Sequence, residues 1–232
     1  MSRSETAISQ TIKHQVKAVY FDLDGTLLDT APDMALALNI QLEKHRKAAL
    51  PYPTIRPWVS HGAAALIKLG FGIRPEHSDF DSYRLEYLEI YQANLSVNTQ
   101  LFSGMEKLLK ALETRQIRWG VVTNKPEFLT IPLLKDLNLY HRSSSVISGD
   151  TIKPSKPSPT PLFLACSQDK VTPNQAIYVG DAIRDIHAAK SAGMLAIAAK
   201  YGYINPEDNF SAWPFDLAIA SPEELFAHLN LS

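Results

Sequence analysis

The chain has 232 residues, a net charge of -1, and 45% hydrophobic against 20% charged residues. Such a composition excludes a disordered chain, and the near-neutral balance leaves no electrostatic footprint for nucleic acid or an anionic membrane surface. A single cysteine, Cys166, excludes a disulfide framework within the chain, and its apolar surroundings mark it as a small buried hydrophobe.

Residues 1–15 read as a polar tail of mixed charge with no apolar core for a signal peptide. No stretch approaches the length of a membrane span, so the expected location is the cytoplasm. Val16 to Phe21 is a short apolar run rich in β-branched and aromatic residues, which predicts a buried strand. It stops at Asp22-Leu23-Asp24-Gly25-Thr26. Asp-Gly pairs end many strands as plain turns, so these residues alone do not establish a site.

Pro32 to about Arg46 predicts a helix on Ala, Leu and Met propensity and a proline start. Thr54–Leu69 and Phe80 to about Leu95 predict two more, the latter capped by Ser78 or Asp79 with Tyr83, Tyr87, Ile90, Tyr91 and Leu95 on one face. Such tyrosines more often pack than form a sugar platform, and the Glu86 and Glu89 charges read as a solvated face. No strand pattern appears from about residue 30 to 100. The remainder alternates: helix from Gly104, strand Ile117–Val122, helix from Glu127, strand Ser145–Ile147, helix Pro161–Gln168, strand Ala176–Val179, helix Asp185–Ala192 and strand Leu195–Ala199. Leu217–Ala220 is a last strand, and Ser221 opens a helix over Pro222–Leu229. This alternation predicts right-handed βαβ units around a parallel sheet, an α/β fold.

Three predicted strands end in polar groups: Asp22 and Asp24, then Thr123, then Asp181. A parallel sheet brings these ends to one edge, where ligands bind in open α/β folds. The proline-locked loop Lys153-Pro154-Ser155-Lys156-Pro157-Ser158-Pro159 adds an ammonium. Clustered carboxylates repel one another unless a cation holds them, and the absence of His or Cys in these loops favours a hard ion such as Mg²⁺ over zinc. A lysine, a hydroxyl and the amides beside Gly25 suit a phosphate. An aspartate facing a phosphate can act as nucleophile, with a second acid moving the protons.

The segments Asp22-Leu23-Asp24-Gly25-Thr26, Thr123-Asn124, Lys156-Pro157-Ser158-Pro159 and Gly180-Asp181-Ala182-Ile183-Arg184-Asp185 resemble the four motifs of the haloacid dehalogenase superfamily, in order and across most of the chain. The resemblance implies a Rossmannoid parallel-sheet core over 16–29 and 102–232 with an all-helical cap inserted at 30–101. It implies Asp22 as nucleophile, Asp24 as general acid/base, and phosphate binding by Thr123, Asn124, Lys156 and Gly25. It also implies Mg²⁺ held by Asp22, the backbone carbonyl of Asp24 and Asp181, with Asp185 supporting the metal's waters or Lys156. Lys153 also precedes a proline, but only Lys156 fits Lys-Pro-x-Pro.

Leu101-Phe102-Ser103-Gly104-Met105, Trp119 to Pro126 and Tyr201 to Asn209 are similar to the phosphoglycolate-phosphatase-like subgroup. That likeness implies hydrolysis of a small phosphorylated metabolite through an aspartyl phosphate. The first expected substrate is N-acetylmuramic acid 6-phosphate of cell-wall recycling, with 2-phosphoglycolate next and a β-phosphoglucomutase-like transfer behind both. Specificity is expected in the cap, at the loop Trp58 to Ala63, with Ser60, His61 and Gly62 as candidates, although His61 also reads as an ordinary packing residue. No nucleic-acid or membrane partner is expected, and the protein is expected to act as a monomer or homodimer.

Overall fold

The computed structural model describes residues 16–229 and Leu231; the expected polar tail at 1–15 lies outside the described residues. A six-stranded parallel sheet has the order β5-β4-β1-β6-β7-β8. Its strands are β1 (Ala18–Phe21), β4 (Arg118–Val122), β5 (Val146–Ile147), β6 (Ala176–Gly180), β7 (Leu195–Ala199) and β8 (Leu217–Ile219). β1 lies between β4 and β6, so the chain builds one half of the sheet and then crosses β1 to build the other. That reversal opens a crevice at the carboxyl ends of these three strands, where α/β folds place ligands.

Both faces of the sheet are covered, as parallel pairing requires. Alternate residues Val19, Phe21, Val121, Ile177 and Val179 join one apolar cluster, while Ala18, Tyr20, Val122 and Tyr178 point into the other. The first face is packed by α5 (Met105–Thr114) and α6 (Glu127–Asp136), the second by α7 (Thr160–Asp169) and α8 (Ile183–Ala192). Cys166 is a free thiol buried in that second layer. The last helix, α9 (Pro222–His228), has Ser221 at its N-cap position, although the serine side chain makes no capping bond.

Between β1 and α5 lie α1 (Ala31–Lys44), the single turn α2 (Tyr52–Ile55), α3 (Gly62–Phe71) and α4 (Phe80–Ala93). The helix expected over Thr54–Leu69 is broken. Residues Arg56–His61 form a 3₁₀ turn between α2 and α3. Pro57 offers no N–H to an α-helical ladder, and Gly62 has φ +74 at the joint, a backbone conformation open chiefly to glycine. Asp79 sits at the N-cap of α4 but, like Ser78, makes no capping bond there. Glu86 does not stand in solvent as expected: it gathers Gln41, Lys44 and His45.

Sequence reasoning also missed a two-stranded antiparallel ladder, β2 (Leu28–Asp29) with β3 (Gln100–Leu101), where the chain leaves the sheet region and returns to it. Two residues per strand carry too little periodicity to be read. Beside this ladder the buried Asp33 carboxylate accepts the Asn98 and Thr99 backbone N–H groups, the Asn98 amide and the Thr99 hydroxyl, all at 2.8–2.9 Å. No described helix is long and apolar enough to cross a membrane.

The Asp33→Ala variant is expected to lose on the order of 3 kcal/mol of stability, because four donors lose their buried acceptor. A thermal melt against the parent chain checks this, and an unchanged midpoint would refute the anchoring role.

Candidate active site

The residues that end the central strands converge. Asp22 follows β1, Thr123 follows β4 and Asp181 follows β6, and each is buried. Asp185 enters from the first turn of α8, where its Oδ2 accepts the Ala182 N–H. Carboxylate oxygens of Asp22, Asp181 and Asp185 lie within 4.8 Å of one another. Lys156 reaches them from the proline-rich loop, with Nζ 3.0 Å from Asp22 Oδ1 and 2.7 Å from Asp185 Oδ1. Lys153 turns away, donating to the Gly149 carbonyl.

Environment divides the carboxylates. Burial pushes Asp22 up, but Lys156, Arg184 and the Leu23 N–H together hold it below its ordinary value. Both of its hydrogen-bonding contacts, from the Leu23 N–H and Lys156, fall on Oδ1, and no described residue bonds Oδ2. Asp181 is driven up to about 7 by burial and by the charges of Asp22 and Asp185, against the opposing bonds from Ser60 and Tyr203 N–H. Asp185 is also raised, chiefly by burial.

Close approach at Asp181 depends on glycine. A Cβ on Gly25, where φ is +81, would stand 2.1 Å from Asp181 Oδ2, and one on Gly202 would stand 2.3 Å from Asp181 Cβ. The Gly25 N–H itself donates to the Leu28 carbonyl. Gly25 was expected to help cradle phosphate; the geometry shows it leaving room for Asp181 while its own N–H is engaged. Asn124, also expected at the phosphate, has its side chain engaged here. Its side-chain amide exchanges hydrogen bonds with the Lys156 backbone at 2.9 and 3.1 Å, fastening the lysine loop. Thr123 lines the cavity, and its Oγ1 accepts the Lys125 N–H.

Asp24 lies beside this floor with different partners. Thr30 Oγ1 donates to its Oδ1 at 2.7 Å, and Lys125 Nζ approaches Oδ1 at 3.0 Å and Oδ2 at 3.3 Å. The buried Lys125 also contacts the Tyr91 hydroxyl at 2.8 Å, joining α4 to the second acid. Sequence reasoning missed Lys125 and the polar role of Tyr91. It also gave no task to Arg184, which is half-buried, with its guanidinium facing Asp185, Asp22 and Asp181 and donating to the Ser60 carbonyl. Arg184 lies inside the segment Gly180 to Asp185 and Lys125 directly follows Asn124, so their place in those segments was the available signal.

The 3₁₀ turn carries the three expected specificity residues to the cavity wall, but to unequal positions. Ser60 is buried, and its hydroxyl donates to Asp181 Oδ2 at 2.6 Å, so it closes over the carboxylate floor. His61 is exposed at the rim, beside Trp58 and 3.8 Å from Asp208, and partial desolvation pushes its imidazole below the ordinary value. Gly62 forms the bend that starts α3. Tyr87, Leu88 and Tyr91 supply a partly apolar wall, whereas Tyr83 packs against His45 and Phe71. The cavity holds about 320 Å³.

The three oxygen donors, with no histidine or cysteine among them, fit a hard divalent cation. The elevated Asp181 supports that fit, because a cation would relieve the repulsion that raises it.

The model of the haloacid dehalogenase-like hydrolases matches residues 19–199. The chain belongs to that family. It is 42% identical to the N-acetylmuramic acid 6-phosphate phosphatase of Pseudomonas putida, over 91% of this chain and 95% of the relative. It is 39% identical to a phosphoglycolate phosphatase of Xanthomonas campestris, over 90% and 95%. The crystal structure of a predicted phosphoglycolate phosphatase from Haemophilus somnus superposes with a TM-score of 0.80 at 27% identity, covering 92% of this chain and 97% of the other. The protein is thus a phosphatase of the haloacid dehalogenase-like family.

Lys125→Met would leave Asp24 and Tyr91 without their shared ammonium, and phosphomonoester turnover is expected to fall roughly 10-fold or more. Steady-state kinetics check this, with Lys125→Arg expected to recover part of the loss. Wild-type kcat in Lys125→Met would remove the lysine from the machinery.

Proposed function

We propose that this phosphatase hydrolyses N-acetylmuramic acid 6-phosphate in the cytoplasm, through an aspartyl phosphate on Asp22. In this reading residues 30–101 form the cap over a core of 16–29 and 102–232. The observation that carries the chemistry is the unequal partnering of the two acids at the end of β1. Asp22 is held ionised, with Oδ2 unbonded among the described residues, while Asp24 is poised between a hydroxyl and an ammonium.

Asp22 Oδ2 attacks phosphorus in line with the ester oxygen, and the P–O bond to the sugar breaks. Asp24 gives its proton to the departing alkoxide. With the sugar gone, Asp24 takes a proton from water, whose oxygen attacks the acyl phosphate. Inorganic phosphate leaves and the Asp22 carboxylate is restored. Lys156 and Thr123 hold the phosphoryl oxygens through both transfers. Asn124 and Asp185 fix Lys156 from either side. Asp22, Asp181 and the Asp24 carbonyl are the proposed holders of Mg²⁺, and Asp185 would support its waters. When bound, that ion neutralises charge on the transferring group.

For the substrate, the support is the likeness to the Pseudomonas relative and the size of the cavity. About 320 Å³ falls inside the range of about 300–1,000 Å³ typical of small-molecule sites, and its Tyr87–Leu88 wall offers a surface for a ring. The second reading is 2-phosphoglycolate, favoured by the likeness to the Xanthomonas relative.

Phosphate release from a panel containing both compounds is expected to show the higher kcat/KM for N-acetylmuramic acid 6-phosphate. The reverse order would overturn the substrate assignment. Asp22→Asn is expected to lower kcat by at least about 10³-fold, and a variant as active as the parent would exclude the covalent route.

The Asp181 shift gives a pH test. Its proton is bound more tightly in the folded chain than in the unfolded one. The metal-free fold is therefore favoured below the ordinary carboxyl range and loses that contribution as pH rises through about 7. Below that point a cation must displace the proton. The rise in melting temperature on adding Mg²⁺ is expected to be larger at about pH 8 than at about pH 5.5. Equal rises would contradict the liganding role of Asp181.

A further inference from the structure

The cavity above Asp22 and Asp24 holds one positive charge that the phosphate site does not use. Three lysine and arginine side chains line it. Lys125 bonds Asp24 and Tyr91, and Arg184 faces the carboxylate floor. Arg84 is the third, and no described residue gives it a hydrogen bond or an ion pair. It is half-buried on α4, and no described carboxylate forms an ion pair with it.

Position along α4 separates Arg84 from the chemistry. Arg84, Tyr87, Leu88 and Tyr91 follow helical spacing and all face the cavity. Tyr91 marks the reacting end, because its hydroxyl meets the lysine that holds Asp24. At 1.5 Å per residue, Arg84 stands about 10 Å further along the helix axis. Tyr87 and Leu88 form the wall between the two ends. The cavity is therefore polar at both ends and partly apolar between them.

We infer that Arg84 is a specificity-determining residue that binds a carboxylate at the end of the substrate remote from its phosphate. A planar guanidinium fork matches a carboxylate in a bidentate pair, which gives both energy and orientation. The site then selects phosphorylated sugar acids over neutral sugar phosphates. This rests on the sugar-phosphate reading above and sharpens it. In N-acetylmuramic acid 6-phosphate the lactyl ether on C3 carries a carboxylate many bonds away from the phosphorylated C6. In 2-phosphoglycolate the carboxylate is bonded to the very carbon that carries the phosphate ester, too near to span two turns of α4.

The test compares wild type, Arg84→Gln and Arg84→Lys on N-acetylmuramic acid 6-phosphate, N-acetylglucosamine 6-phosphate and 2-phosphoglycolate. The two sugars differ in the lactyl group alone. Wild type is expected to prefer the sugar acid. Arg84→Gln is expected to lose roughly 10- to 100-fold in kcat/KM on it, mostly through KM, while N-acetylglucosamine 6-phosphate changes by less than about 2-fold. Arg84→Lys is expected to fall between, since it keeps the charge and loses the fork. Retained turnover of the neutral sugar shows that the variant is folded. An equal fall on both sugars, or no fall on either, overturns the role of Arg84 while leaving the substrate assignment standing. A wild-type preference for 2-phosphoglycolate removes the sugar-acid reading itself.

Discussion

Three carboxylates, from Asp22, Asp181 and Asp185, share a space in which their oxygens lie within 4.8 Å of one another and almost no water reaches them. Moving one such charge out of water costs several kcal/mol, and gathering three adds mutual repulsion. Much of the surrounding architecture offsets that cost. Lys156 is delivered by a proline-rich loop, itself fastened by Asn124. Arg184 comes from the same helix turn as Asp185, and Gly25 and Gly202 leave the space that Asp181 needs. Asp181 stays raised, so compensation by the chain's own groups is least complete there.

The second acid has a separate set of supports. Asp24 is held by Thr30 and by Lys125, and Lys125 is held by Tyr91. These contacts tie the helices between β2 and β3 to the site at one point. Ser60 and Arg56 tie them at others, the latter donating to the Tyr201 and Gly202 carbonyls and stacking on Tyr203. The carboxylate floor therefore belongs to the sheet, whereas Asp24 is held by a contact that crosses from the sheet to the helices.

The sheet and its floor were legible because each functional group sits where a local pattern ends. Asp22, Thr123 and Asp181 follow apolar strand runs, and parallel pairing brings such ends together whatever the intervening chain does. The cross-contacts were not legible. Tyr91 reads as one more apolar face residue, and nothing near it in sequence says that its hydroxyl meets a lysine more than thirty positions away. The break between α2 and α3 was hidden because Ala and Leu propensity outweighs one proline and one glycine when a segment is read by composition. The partners of the Gly25 N–H and the Asn124 amide were equally illegible, because only three-dimensional placement supplies them.

The same floor also has a charge balance of its own. Asp22, Asp24, Asp181 and Asp185 set four acidic groups against Lys125, Lys156 and Arg184, so with every acid ionised the floor carries one net negative charge. A phosphate dianion approaching such a surface meets repulsion in a region of low dielectric. One divalent cation seated among the carboxylates reverses the sign. A floor that is negative when its acids are ionised would therefore receive a phosphoester more readily with a cation among the carboxylates than without one.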